Sequence, residues 1–198
     1  MEQIQFPLNF EFKITTFSND FTVADAKGQT FAYVKQKMFK FIEDVQVYSS
    51  ESKQQLIYNI NADRWLDFNA AYSFTNTAGH ELGKLVRKGW RSMWKARYHI
   101  IDENQQNLYD INEESVWVRV MDNFLGEIPI LNFFTGYLFN PTYLVTDNQG
   151  NLVLKLIKKP SFFGRKFELV KTAEFDKENT DKVILGLMMM ILLERRRG

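Results

Sequence analysis

A short phrase recurs along this chain: an aromatic residue, a hydrophobic residue two positions on, Asp or Asn two positions after that, and Gly three further. It reads Phe21, Val23, Asp25, Gly28, then Tyr72, Phe74, Asn76, Gly79, and again Tyr143, Val145, Asp147, Gly150. A degenerate copy, Tyr98, Ile100, Asp102, Gln105, keeps the Asp and loses the Gly. Alternation into a turn is strand chemistry. Asp or Asn opens the turn through its side-chain acceptor, and Gly takes the left-handed position that closes a hairpin with a bulge. Each copy therefore predicts a β-hairpin.

Between these phrases lie further strand-like runs at Phe31–Val34, Phe39–Ile42, Val45–Tyr48, Leu56–Ile60, Leu66–Phe68 and Leu82–Val86. Turn-forming polar residues separate them at the short intervals of an antiparallel meander. Two segments break the pattern. From Asn112 to Phe139 the residues Val116, Trp117, Val120, Met121 and Phe124 recur near a helical period, which predicts an inserted helical segment, although Val116, Val118 and Val120 also suit a strand. At the end of the chain, Val183–Leu193 is apolar throughout and Arg195, Arg196 and Arg197 follow it. Asp176, Thr180 or Asp181 can cap such a helix, and the arginines suit the negative end of its dipole. A helix apolar on every side must be surrounded by protein or lipid. Eleven residues at about 1.5 Å each give roughly 17 Å, against a bilayer core of about 30 Å. It is too short to span, so it is expected to thread the barrel that the hairpins form.

The order of the hairpin phrases, the stretch Tyr33–Phe41, the run Gly79-His80-Glu81-Leu82-Gly83 and the closing apolar helix together resemble the LURP-one-related family, over roughly Phe17 to Leu193. That family shares its fold with the phospholipid scramblases and the Tubby C-terminal domain. The resemblance implies a mainly β fold: a closed antiparallel barrel of about twelve strands around a central hydrophobic C-terminal helix, a closed all-β architecture. It also implies a functional expectation, since relatives bind phosphoinositide headgroups or are linked to lipid movement. The acidic calcium segment of a scramblase has no counterpart in this sequence, and no Tubby binding residue maps onto it one by one.

Composition bounds the rest. At 198 residues, 45% hydrophobic and 15% aromatic, the chain can bury one substantial core, and one domain over residues 1–198 is expected. A formal net charge of +1 gives no bulk attraction to nucleic acid. The absence of cysteine excludes disulfides, thiol catalysis and thiolate metal sites and fits a reducing compartment. Residues Met1–Leu8 show no basic region followed by an apolar run, so the expected location is cytoplasmic, peripheral to a membrane if a membrane is the partner. Catalysis is not expected: His80 lies at a hairpin corner, His99 on a strand, neither near a nucleophile elbow, and Asp25, Asp102 and Asp147 are accounted for by turns. Two histidines supply no metal-ligand spacing, and no cofactor is expected.

Charge distribution is more informative than net charge. Lys84, Arg87, Lys88, Arg91, Lys95 and Arg97 form a basic run without an acid, followed by an acidic stretch from Asp102 to Glu127. If Arg91–Ile100 is a strand, Arg91, Lys95, Arg97 and His99 share one face while Trp94, Ala96, Tyr98 and Ile100 face the core. Such a stripe is either a site for anionic headgroups or a solvated outer face. A second basic cluster, Lys158, Lys159, Arg165 and Lys166, brackets Phe162 and Phe163, which either insert into an interface or fold onto the barrel mouth. Ile128–Phe139 carries no charge and holds Phe133, Phe134, Tyr137 and Phe139, a partner or membrane patch if exposed and a plug if buried. The expected function is a non-enzymatic binding module for anionic phospholipid headgroups or a membrane surface. The alternative is a structural or protein-interaction module that recruits a protein partner through residues 112–139.

Overall fold

The computed structural model of the protein describes residues 4–14, 19–37, 44–63, 70–88, 97–114, 140–161 and 166–195. Twelve strands form a closed antiparallel barrel: β1 (Leu8–Phe12), β2 (Phe21–Ala24), β3 (Thr30–Gln36), β4 (Asp44–Tyr48), β5 (Leu56–Ala62), β6 (Ala71–Asn76), β7 (Glu81–Lys88), β8 (Arg97–Asp102), β9 (Asn107–Glu113), β10 (Thr142–Asp147), β11 (Leu152–Lys159) and β12 (Lys166–Lys171). Each strand pairs with the next in sequence, and β12 returns to β1 with Phe10 opposite Phe167. Closure leaves no free sheet edge along the paired strands. Alternation decides which face is which: in β1, Leu8, Phe10 and Phe12 are buried while Asn9 and Glu11 are exposed.

The recurring phrase makes one turn four times. Asp25 Oδ1 accepts the N–H groups of Lys27 and Gln29, Asn76 Oδ1 those of Ala78 and His80, Asp102 Oδ1 those of Asn104 and Gln106, and Asp147 Oδ1 those of Gln149 and Asn151. The eighth residue of the phrase then takes a left-handed conformation, with φ 78° at Gly28, 82° at Gly79 and 87° at Gly150. In the degenerate copy Gln105 does the same at φ 64°. A fifth hairpin joins β4 to β5 without the phrase, and there Lys53 adopts φ 58°.

This connectivity gives the barrel two unlike ends. The five hairpin turns lie at one, the turn end. The segments joining β1 to β2, β3 to β4, β5 to β6, β7 to β8, β9 to β10 and β11 to β12 all depart from the other, the link end. The predicted strand runs at Phe39–Ile42 and Leu66–Phe68 lie outside the described residues, as does most of the predicted inserted helix. Its first two residues correct that prediction: Asn112 and Glu113 belong to β9, opposite Leu144 and Tyr143 of β10. Their pairing with β10 outweighs the helical period that begins at Val116.

The chain enters the barrel from the turn end. Asp176 Oδ1 accepts the N–H of Glu178 to cap a 3-10 turn (Lys177–Asn179), which runs into the helix α1 (Thr180–Arg195). All eleven residues from Val183 to Leu193 are buried, so every side of α1 meets barrel wall. Gly186 marks the closest approach: a Cβ there would sit 2.8 Å from Ile100 Cδ1 and 3.0 Å from Ile100 Cγ1.

Two substitutions test this construction. Gln105→Gly is expected to raise stability in urea denaturation by several tenths of a kcal/mol, because left-handed strain of about 1–2 kcal/mol is removed while about 0.5–1 kcal/mol of extra unfolded-state entropy is added. Gly186→Leu is expected to lower stability by about 1–3 kcal/mol through overpacking. Part of that loss should return in the double variant with Ile100→Ala, and no recovery would place the helix elsewhere.

Candidate anion-binding rim

At the link end the dry interior gives way to a polar layer. Glu194, in the last turn of α1, accepts hydrogen bonds from Tyr98 Oη at 2.7 Å and Tyr143 Oη at 3.1 Å. Burial, followed by the negative charges of Glu194 and Glu113, pushes the ionisation of Tyr143 far above its ordinary range, so the phenol remains a donor. Arg195 lies over the Phe12 ring at 4.2 Å and donates through Nε to Asn19 Oδ1, and Asn19 in turn donates to Gln36. At the turn end Tyr58 Oη donates to Asp181 Oδ2 at 2.5 Å, and burial with that bond raises its ionisation too. Carboxylate–tyrosine contacts thus hold α1 at both ends. None of these partners was visible in the sequence, because 123, 96 and 51 residues separate the pairs.

The barrel register sorts the candidate cations. Arg97 and His99 point outward from β8, while Tyr98 and Ile100 point inward, as alternation predicts. Arg87 does not share the outer face of Lys84: it stands opposite Tyr98 and so belongs to the inner face, at the rim. Lys158 stands opposite the buried Phe167 and is likewise an inner-face residue at the rim. Lys88 pairs with Arg97 in the backbone register. Arg91, Lys95, Arg165, Phe133, Phe134, Tyr137, Phe139, Phe162 and Phe163 lie outside the described residues.

Ion pairing separates these cations further. Lys84 is held by Asp63 at 2.9 Å and Glu81 at 3.6 Å, Lys159 by Glu168 at 2.5 Å and Lys166 by Glu11 at 3.3 Å. The bond to Asp63, against a smaller cost of burial, raises the pKa of Lys84 and keeps it charged. Lys84 is held within the wall, and Lys159 and Lys166, the last residue of β11 and the first of β12, are held at the link end. Arg87, Arg97 and Lys158 make no ion pair among the described residues, and all three stand at the link end. Among the described residues the link-end cations thus divide into the paired Lys37, Lys159 and Lys166 and the unpaired Arg87, Arg97 and Lys158.

The histidines have local roles. His99 Nδ1 lies 2.6 Å from Asp110 Oδ1, its cross-strand neighbour, and Asn107 Nδ2 donates to the same oxygen. His80 sits exposed in the β6–β7 turn. Among the described residues no group of three or more His, Asp or Glu is placed to hold a metal ion. An open cleft of about 620 Å³ lies at the turn end between Ile4–Pro7 and Val170–Glu174, remote from the rim.

With the barrel and its inner helix described, comparison with known families decides the relationship. The family model described as LURP-one-related matches residues 30–128, half of the chain, from β3 through β9. The chain belongs to the LURP-one-related family. No curated protein matches the sequence. The matched span of this LURP-one-related chain includes Arg87 and Arg97, whereas Lys158 and α1 lie beyond it. Among the described residues no helix is long and apolar enough to cross a membrane.

Proposed function

We propose that this LURP-one-related barrel is a non-enzymatic binding module for an anionic phospholipid headgroup or membrane surface. The observation that carries the reading is the set of three link-end cations, Arg87, Arg97 and Lys158, that make no ion pair among the described residues. A cation without a counterion, half-buried at Arg87 and Lys158 and exposed at Arg97, favours an anionic ligand that supplies the missing charge.

The test is co-sedimentation with vesicles of phosphatidylcholine alone or mixed with phosphatidylserine, at low and high salt. Binding is expected only to the anionic vesicles and should fall as salt screens the charges. Each cation near such a surface contributes about 1 kcal/mol, so Arg97→Gln and Lys158→Gln should each weaken partitioning about fivefold. Lys159→Gln, which removes a cation at the same end that is already paired with Glu168, should weaken it less. Equal binding to both vesicle types, or none to either, would overturn the reading and favour a protein partner engaged through residues 112–139.

A further inference from the structure

We propose that the link end of the barrel, rather than its side wall, meets the anionic membrane, so that α1 stands along the membrane normal and the hairpin turns face away. This rests on the membrane reading above and adds an orientation to it. The first observation is that ionic groups are segregated along the barrel axis. At the turn end Asp25, Asp102 and Asp147 each hold two backbone N–H groups, and Glu174, Asp176 and Glu178 follow between β12 and α1. A hydrogen bond from Asn151, with backbone N–H bonds, lowers the pKa of Asp147, and Lys171 lowers that of Glu174, so both stay charged well below neutrality. Lys27, Lys53 and Lys177 offset these carboxylates only in part. An anionic surface repels this end.

The link end has carboxylates too, some paired with a lysine and others accepting tyrosine hydroxyl hydrogen bonds, which supply no counter-charge. Asp44 is held by Lys37, Asp63 by Lys84 and Ser73, Asp20 by Tyr33, and Glu194 by Tyr98 and Tyr143. Among the described residues, the cations at this end that make no ion pair are Arg87, Arg97 and Lys158. The helix dipole places its negative pole here as well, and Arg195, in the last turn, offsets it.

The second observation is apolar. Ile14, 66% exposed, is the one exposed large hydrophobic side chain among the described residues, and it stands at the link end just beyond β1. An apolar side chain beside unpaired cations suits an interface where one inserts and the others meet headgroups. The wall offers no such combination. Lys35 and Lys155 project from it without ion pairs, but β3 and β11 are four strands apart around the barrel and do not form one face. Sixteen helical residues at about 1.5 Å each separate the two ends by roughly 24 Å, more than twice the Debye length of about 8 Å at physiological salt. On one side of the barrel the two ends come together, since Lys13, just beyond β1, pairs with Glu51 of the β4–β5 turn at 2.6 Å.

The absence of cysteine makes the orientation directly measurable. Single cysteines at Ile14→Cys and Pro160→Cys at the link end, Leu144→Cys on the outer wall and Ala78→Cys at the turn end would carry a polarity-sensitive fluorophore. Vesicles of phosphatidylcholine and phosphatidylserine, with and without a nitroxide-labelled lipid as quencher, are the probe. The labels at positions 14 and 160 are expected to shift to shorter wavelength and be quenched, whereas those at 144 and 78 should change little. Quenching at 144 equal to that at 14, or quenching at 78, would overturn the end-on orientation while leaving membrane binding in place. Failure of all four labelled proteins to co-sediment with these vesicles would overturn the membrane reading itself, and the orientation with it.

Discussion

The burial of α1 is the constraint on which the rest of the molecule depends. Eleven consecutive apolar residues give a helix with no face for water, and each Leu, Ile, Met or Val side chain contributes about 1.5–3 kcal/mol when removed from solvent. The barrel in turn has inward rows of Phe, Val, Leu and Ile that would line an empty cavity without the helix. Neither part is complete alone. Gly186 shows how closely they fit, since the wall at Ile100 leaves no room for even one more carbon. The contacts of Tyr58 with Asp181, and of Tyr98 and Tyr143 with Glu194, then fix the axial position that apolar packing alone would leave free to slide.

A filled barrel has little interior left for a ligand, which moves function to its surface. The meander connectivity makes that surface asymmetric. Every hairpin turn falls at one end, and each is closed by Asp, Asn, Ser or Lys chemistry that is polar by necessity. The remaining connections fall at the other end, where no turn geometry dictates composition and where Arg87, Arg97 and Lys158 stand. The family match covers β3 to β9, which includes Arg87 and Arg97, while Lys158 lies beyond it.

What the sequence disclosed follows from how local each determinant is. The four phrase hairpins were legible because an Asx turn is built from residues within five positions of one another, and even the copy that lost its glycine kept the Asp that organises it. The β4–β5 turn was legible only as the polar gap between the runs Val45–Tyr48 and Leu56–Ile60, since Lys53 at positive φ carries no compositional signal. The helix was legible from its uniform apolarity and the strand alternation around His99 from its period. The assignment of Arg87 was not. Lys84 and Arg87 lie close in sequence, yet register sends one to the outer wall and the other to the inner rim, and only the pairing with Tyr98 reveals it. Which cations hold a structural counterion was equally hidden, because Asp63, Glu168 and Glu11 come from other strands or from the segments between them.

Amide hydrogen exchange across α1, read against the barrel strands over a range of denaturant, tests most directly whether the barrel depends on the helix inside it. The amides of Leu187 to Ile191 should exchange only when the whole barrel unfolds, with the same opening free energy and the same denaturant dependence as buried positions such as Val47 and Leu156. Exchange of the helix amides through a smaller, denaturant-insensitive opening, while Val47 and Leu156 stay protected, would mean that the wall stands without the helix and would contradict the account.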